Sequence, residues 1–141
     1  MTALVVDSSV AIKWYVPEAL AAEALQVRDG AAPLHAPDFL EVEVAAIVWK
    51  KIRRGAMTRL VGDGILADLP ALGIITYHAT RPLVTPAFDL ADRTGRTVYD
   101  CPYLALAAQL GGVMVTADEK LVNSLAGTPW AASILRLPDV P

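Results

Sequence analysis

Four acidic residues, far apart in the chain, stand where apolar segments begin or end or inside a helical stretch. Asp7 and Asp118 each follow a short apolar run, Asp100 precedes an apolar helical stretch, and Glu43 lies within a longer helix. Carboxylates gathered at one site repel each other unless a cation neutralises them, and oxygen donors suit Mg²⁺ or Mn²⁺. The pattern therefore predicts a metal-dependent site that cleaves phosphodiester bonds.

Glu43 carries the most specific signal of the four. Three apolar residues, Leu40, Val44 and Ile47, share its stripe of the helix at positions −3, +1 and +4. A glutamate on an apolar stripe loses its hydration unless another group pairs with it. The alternative is that Glu43 faces solvent and that Glu41 is the functional carboxylate, and the pattern favours Glu43.

Each of the three aspartates also has a purely structural interpretation. Asp7, Ser8 or Ser9 can cap the helix that follows, and Asp100 and Asp118 can cap the helices that they precede. Taken singly, each aspartate leaves both interpretations open. Taken together, they fall at what should be one edge of a sheet, which favours a shared site.

Short apolar runs alternate with helical stretches, which is typical of a parallel sheet built from β-α-β units. The active crevice of such a sheet lies outside the carboxyl ends of its strands. The predicted strands are Ala3–Val6, Leu34–Ala36, Gly73–Tyr77, Gly112–Thr116 and Ile134–Leu137. The predicted helices are Ser9–Tyr15, Glu18–Arg28, Asp38–Arg54, Thr58–Leu69, Thr85–Thr94, Cys101–Leu110 and Glu119–Leu125.

Length and composition indicate one domain spanning residues 1–141. Hydrophobic residues make up 55% and charged residues 19%, so we expect a partner to cover some apolar surface. No apolar run reaches the ~20 residues that span a bilayer, and the first residues lack the basic segment of a signal peptide. We therefore expect a cytoplasmic protein without membrane contact, and its single cysteine, Cys101, excludes an internal disulfide.

A cluster of basic residues stands out against the net charge of −3, which by itself disfavours a dedicated nucleic-acid-binding protein. Five of the twelve basic residues, Lys50, Lys51, Arg53, Arg54 and Arg59, fall within ten positions. They are either a solvated helix end, where cations complement the helix dipole, or a patch that contacts RNA phosphates.

Four segments resemble, in order and at comparable spacing, the signature of PIN-domain proteins, above all the VapC-type toxins of bacterial toxin–antitoxin pairs. They are Val5–Ala11, Pro37–Val44, Thr97–Ala107 and Val115–Leu121, so the resemblance covers essentially the whole chain. It implies a three-layer α/β/α sandwich with a central parallel sheet of about five strands. It also implies a Mg²⁺- or Mn²⁺-dependent endoribonuclease that forms a homodimer and is inhibited by a small antitoxin.

The resemblance also assigns roles to individual residues. It places the catalytic and metal-binding acids of the family at Asp7, Glu43, Asp100 and Asp118. Supporting hydroxyl groups fall at Ser9 and Thr116. One position departs from the pattern: many relatives have Asn three residues after the helical glutamate, whereas this chain has Ala46. If that amide normally orients the site, this chain must use another group, such as Ser9 or a water molecule.

Two other functions compete with a ribonuclease. Ala46 leaves open a PIN-like binding or scaffold protein without catalysis, although all four acids are present. A receiver-type signalling domain is disfavoured, because Asp7 has no acidic neighbour and the strand Gly73–Tyr77 is not followed by an acid. The two histidines, His35 and His78, are expected to be structural or surface residues.

Overall fold

The computed structural model describes residues 2–141, so Met1, which belongs to the predicted domain 1–141, lies outside the described residues. The strands are β1 (Leu4–Val6), β2 (Leu34–Pro37), β3 (Ile75–His78), β4 (Val113–Thr116) and β5 (Ile134–Arg136). The α-helices are α1 (Ser8–Ala11), α2 (Ala21–Asp29), α3 (Leu40–Arg53), α4 (Arg59–Ala71), α5 (Val84–Thr94), α6 (Cys101–Leu110) and α7 (Glu119–Ser124). Short 3-10 segments lie at Ile12–Trp14, Arg81–Leu83, Ala131–Ser133 and Leu137–Asp139.

The five strands form one sheet in the order β3-β2-β1-β4-β5, and every neighbouring pair is parallel. The predicted five-stranded parallel sheet is therefore confirmed. The chain builds outward from β1 to β3 and then crosses back to β4, so the order reverses between β1 and β4. Ligands of open α/β sheets bind at such a reversal, outside the carboxyl ends of the strands.

Helices cover both faces of this sheet. Right-handed crossovers place α1 to α4 on one face and α5 to α7 on the other, because the direction of strand addition reverses after β3. The central helix is α6, which packs on β1, β2 and β4. Its residues from Cys101 to Ala107 are all buried, and this continuous burial explains the nearly uninterrupted apolar sequence of the helix.

Two connections bring helix starts to the carboxyl edge of the sheet. Helix α3 begins shortly after β2 ends at Pro37, so its first turn lies at that edge. Helix α6 leads through Gly111 and Gly112 into the amino end of β4, so its own start must lie at the opposite, carboxyl edge. A Cβ atom on Gly112 would stand 2.3 Å from the carbonyl oxygen of Ala3, and only glycine fits this turn.

Three predicted element bounds were wrong for conformational reasons. Helix α2 starts at Ala21 rather than Glu18, because Leu20 has a φ of 67°, a left-handed conformation that cannot continue a helix. Strand β3 starts at Ile75 rather than Gly73, because Gly73 takes a φ of 66° in the turn after α4. The helix predicted at Ser9–Tyr15 is α-helical only to Ala11 and then tightens into a 3-10 turn.

None of the helices in the described part of the chain combines the length and apolar character that crossing a bilayer requires.

Candidate active site

Asp7 is held at the point where the strand order reverses. It directly follows β1 and only 6% of its surface is exposed. Its Oδ1 accepts hydrogen bonds from the Val10 amide at 3.2 Å and from the Ser9 hydroxyl at 2.5 Å. Asp7 therefore caps α1 and also stands at the carboxyl end of β1, beside the strand reversal, so the structural and functional interpretations of this residue are compatible.

Ser9 and Thr116 connect the ends of β1 and β4. The Ser9 Oγ lies 3.3 Å from the Thr116 Oγ1 and accepts a hydrogen bond from the Ala117 amide at 2.9 Å. The Thr116 Oγ1 in turn accepts a hydrogen bond from the Asp118 amide at 3.1 Å. These two hydroxyls thus contact both Asp7 and the backbone on either side of Ala117.

The other two aspartates differ in how they are held. Asp118 is exposed, and its Oδ1 caps α7 by accepting from the Leu121 amide at 3.1 Å. Asp100 makes no side-chain cap on α6. Its Oδ2 instead accepts from the Thr97 hydroxyl at 3.1 Å, while the Thr97 Oγ1 accepts from the Asp100 amide. The capping interpretation is therefore right for Asp118 and wrong for Asp100.

Glu43 is half-buried in the first turn of α3, whereas Glu41 is exposed. Its neighbours Leu40 and Val44 on the predicted stripe are fully buried. The Tyr103 hydroxyl of α6 donates a hydrogen bond to the Glu43 Oε1 at 2.5 Å. The apolar stripe is confirmed, and the partner that its glutamate required is a tyrosine.

Tyr103 and Thr97 were not predicted as site residues. A signal for Tyr103 was present, since a phenol in the middle of a buried apolar helix must find an acceptor. Its position three residues after Asp100 also places it on the same side of α6 as that acid. No comparable pattern singled out Thr97, because a threonine before a helix is common.

The carboxylates share one electrostatic environment. Burial, with a smaller contribution from the charge of Asp100, raises the pKa of Asp7 to about 6, although hydrogen bonds from Ser9, Thr116 and the Val10 amide act to lower it. Burial likewise raises the pKa of Glu43 to about 7, with added repulsion from Asp7 and Asp100. The pKa of Asp100 is raised by burial and by the charge of Asp118. Each of the four acids is thus coupled to at least one other through its charge, Asp118 to Asp100 alone.

This donor set fits a hard divalent cation. The four acids and the nearby hydroxyls present only oxygen atoms, which Mg²⁺ and Mn²⁺ prefer. None of the four carboxylates forms an ion pair with a lysine, arginine or histidine among residues 2–141. In the same residues, no three acidic, histidine or cysteine side chains are close enough together to hold a metal ion as they stand. A cation would therefore have to draw the carboxylates together as it neutralises them.

The predicted basic cluster lies away from the acids. Lys50, Lys51, Arg53 and Arg54 occupy the last turn of α3 and its end, ~10–15 Å along the helix from Glu43. The Lys51 ammonium is paired with Glu18 at 3.3 Å. The other three side chains are exposed, in agreement with the solvated-helix interpretation, and they remain free to contact a long ligand.

The histidines and Ala46 also lie apart from the acidic cluster. His35 Nδ1 and His78 Nε2 are 2.9 Å apart across β2 and β3, so the two rings pair with each other.

Ala46 is exposed on α3, one turn after Glu43. Its methyl group offers no hydrogen bond and cannot orient Glu43, whose carboxylate accepts a hydrogen bond from Tyr103.

Comparison with known proteins agrees with this architecture. Residues 4–124 match the family model of the PIN domain. Over 121 residues the chain is 36% identical to Ribonuclease VapC3 of Pyrobaculum aerophilum, an alignment that covers 85% of this chain and 92% of that protein.

Two solved structures share the fold. A crystal structure of a protein from Pyrobaculum aerophilum superposes with a TM-score of 0.70 at 21% identity, covering 97% of this chain and 92% of the other. A toxin–antitoxin complex from Klebsiella pneumoniae gives 0.65 at 13% identity, covering 97% and 99%. Given the matched family model, the similarity to a VapC ribonuclease and the shared fold, the chain belongs to the PIN-domain family.

Proposed function

We propose that this chain is a metal-dependent endoribonuclease that acts as the toxin of a VapBC-type toxin–antitoxin pair. It cleaves phosphodiester bonds of RNA in the cytoplasm as a single-domain protein. The observation that carries the proposal is the burial of Asp7 at the strand reversal, where the charge of Asp100 adds to the rise in its pKa. No lysine, arginine or histidine among residues 2–141 forms an ion pair with it. A buried carboxylate without an ion-pair partner costs stability, and such groups with raised pKa values cluster at functional sites.

The chain supplies the residues that such chemistry needs. Asp7 and Asp100 are the main candidates for direct metal ligands, Asp118 completes the ion site or orients water, and Glu43 binds a second ion or acts through water. A bound Mg²⁺ or Mn²⁺ supplies a water of lowered pKa and neutralises charge on the scissile phosphate. Ser9 holds the Asp7 carboxylate through its hydroxyl, which keeps an oxygen donor in a fixed orientation.

The basic end of α3 is a candidate for holding RNA away from the point of cleavage. Lys50, Arg53 and Arg54 are exposed there, and Arg53 also lies over the ring of Trp49 at 5.9 Å from its centroid. Phosphate contacts made by such residues position a nucleic acid without reading its sequence. Their distance from Glu43 matches an RNA of several nucleotides rather than a single one.

We also propose two protein partners, a small VapB-like antitoxin and a second copy of the chain. The similarity to a VapC ribonuclease and to the chain of a toxin–antitoxin complex supports the antitoxin. Two groups of exposed apolar side chains are available for burial. One lies on α3 and α4 (Trp49, Leu60, Val61 and Leu66), and the other on and near α5 (Val84, Phe88, Val98 and Tyr99).

The antitoxin is expected to place an Arg or Lys among the acids, because a cationic side chain satisfies the same carboxylates as a metal ion. Inhibition would then compete with metal binding. An apparent affinity for the antitoxin that does not fall as the Mg²⁺ concentration rises would contradict this mode of inhibition.

The ribonuclease is tested with purified protein freed of antitoxin. Total cellular RNA is incubated with the protein in Mg²⁺, in Mn²⁺ and in EDTA, and the new ends are mapped. We expect cleavage at discrete positions in either metal and none in EDTA, and the Asp7→Asn variant should be inactive. Cleavage by that variant at the wild-type rate would contradict the proposal, as would intact RNA under all conditions.

A further inference from the structure

The contact between Tyr103 and Glu43 joins the two layers of helices through the acidic site. Glu43 stands in the first turn of α3, and Tyr103 stands in α6 on the other face of the sheet. Their hydrogen bond spans 60 positions of the chain and uses only the Oε1 atom of the carboxylate. The second oxygen, Oε2, therefore does not take part in this bond.

Tyr103 has little freedom to move. Only 1% of its surface is exposed, and its ring packs against that of Phe39 at a centroid distance of 5.3 Å. Phe39 precedes α3, and its amide donates to the Thr80 hydroxyl at 3.1 Å, which anchors the start of the helix. A hydroxyl on a ring fixed in this way is a rigid donor, unlike one on an exposed side chain.

Glu43 has few other means of orientation. A glutamate side chain has three rotatable bonds, and holding it in one rotamer costs conformational entropy. The residue one turn later, Ala46, carries no polar atom and is exposed. Asp7 and Asp100 repel the Glu43 carboxylate, as their effect on its pKa shows, so they do not hold it in place.

We propose that Tyr103 is a positioning residue that holds the Glu43 carboxylate toward the site shared with Asp7 and Asp100, in the role that a neighbouring amide on α3 cannot fill in this chain. This inference rests on the proposed function, since it assigns Glu43 to the ion site. A fixed Oε1 turns the carboxylate into a preorganised ligand, and loss of the hydroxyl lets it rotate away from the site.

The test is Tyr103→Phe, which keeps the ring and its packing on Phe39 but removes the donor. Mn²⁺ binding to the metal-free protein is measured by calorimetry, and RNA cleavage is measured in parallel. We expect roughly 10-fold weaker Mn²⁺ binding and a similar loss in kcat at limiting metal, with KM for RNA unchanged. A merely structural role would lower stability without this change in metal affinity.

The chain offers a matched control at Tyr15, whose hydroxyl also donates to a carboxylate, that of Asp68, at 2.7 Å. Asp68 belongs to α4 and not to the acidic cluster, so Tyr15→Phe removes the same kind of bond elsewhere. We expect its Mn²⁺ affinity to equal that of the wild type. Equal losses in both variants would show a general effect of removing a phenol and would overturn the proposal.

A double-mutant cycle tests whether Tyr103 acts through Glu43. In a Glu43→Gln background, Tyr103→Phe should cause little further loss of Mn²⁺ affinity, because the ligand it positions is already gone. Additive losses would contradict the proposal.

Phe39→Leu tests the same role if Tyr103→Phe does not fold. It loosens the packing of the Tyr103 ring but keeps the hydroxyl, so we expect a smaller loss of Mn²⁺ affinity.

The binding assay separates this inference from the proposed ribonuclease. If Tyr103→Phe and Phe39→Leu both bind Mn²⁺ as tightly as the wild type, the proposed positioning role of Tyr103 is overturned, even if the wild type cleaves RNA normally. A wild type that binds Mn²⁺ but leaves RNA intact contradicts the ribonuclease, while the comparison between variants still decides the role of Tyr103.

Discussion

Ser9 joins the first acid of the site to the strand that carries the last one. Its hydroxyl donates to the Asp7 Oδ1 at 2.5 Å and accepts from the amide of Ala117, which follows β4, at 2.9 Å. One small side chain therefore fixes a carboxylate and also closes the two strands at the point of reversal. This double use accounts for a hydroxyl two residues after the first aspartate better than helix capping alone.

Replacing this hydroxyl should affect both stability and catalysis. Ser9→Ala removes the donor to Asp7 and leaves the Ala117 amide without its acceptor, which should lower the free energy of unfolding by about 1–3 kcal/mol. Cleavage should fall by roughly 10-fold or more, as for other groups that orient metal ligands. Urea unfolding and RNA cleavage measure the two effects. Ser8→Ala is the matched control, and equal activity in both variants would contradict the role of Ser9.

Removing single carboxylate charges should separate chemistry from folding. Asp7→Asn and Asp100→Asn keep the side-chain shape but lose a charged ligand, so metal affinity and cleavage should both fall, with cleavage reduced roughly 10²–10³-fold. Stability without metal should hold or rise slightly, because one repelling charge is gone. Growth inhibition in a host that lacks the antitoxin should disappear in parallel.

Two nearby acids serve as controls for these variants. Asp38→Asn should stay close to wild-type activity, because Asp38 only accepts hydrogen bonds from Thr80, which an amide oxygen can also accept. Glu41→Gln should behave in the same way, since Glu41 is exposed. An inactive Glu41→Gln beside an active Glu43→Gln would show that the wrong glutamate was assigned to the site.

Divalent cations should stabilise the folded protein. Neutralising crowded carboxylates favours the native state, and a ligand at about 100 times its dissociation constant adds roughly 2.7 kcal/mol. The melting temperature should therefore rise with millimolar Mg²⁺ or Mn²⁺ but not with the same ionic strength of NaCl. Asp7→Asn should show a smaller rise. A wild-type melting curve that does not respond to either metal would count against an organised ion site.

The metal-free protein should lose stability as the pH rises from about 4 to about 7. The folded-state pKa of Asp7 is raised from 3.8 to about 6 and that of Glu43 from 4.5 to about 7. In this window the folded state holds protons that the unfolded state has released, so each step up in pH favours unfolding. Urea unfolding in EDTA measures this loss. The slope should be shallower in Asp7→Asn, and a stability that rises over this range in the wild type would contradict the assignment.

The proposed homodimer should depend on one of the two exposed apolar groups. Light scattering at micromolar concentration is expected to give twice the mass of one chain. Phe88→Glu places a charge in the apolar group near α5, and Leu60→Glu places one in the apolar group on α3 and α4. Both side chains are exposed in the single chain. We expect only one of the two variants to dissociate the dimer, and a wild type that is monomeric would contradict the proposal.

Local sequence patterns determined much of this protein. The alternation of short apolar runs with helical stretches predicted five parallel strands, because the strands of a sheet covered on both faces are mostly apolar in sequence. The stripe around Glu43 identified a glutamate with a buried environment, since helix periodicity alone fixes which residues share a face. The bounds of α6 were also predicted, because its apolar run begins after Asp100 and ends at a glycine.

Only the tertiary structure decided which groups meet. The partner of Glu43 is 60 positions away, and no periodicity within α3 or α6 relates the two helices. The hydrogen bond from the Ala117 amide to Ser9 likewise requires β4 to pair with β1 and not with β3. Helix α6, which packs across β1, β2 and β4, is consistent with this strand order. Sequence spacing describes one element at a time, whereas the four acids lie where β1 and β4 end and α3 and α6 begin.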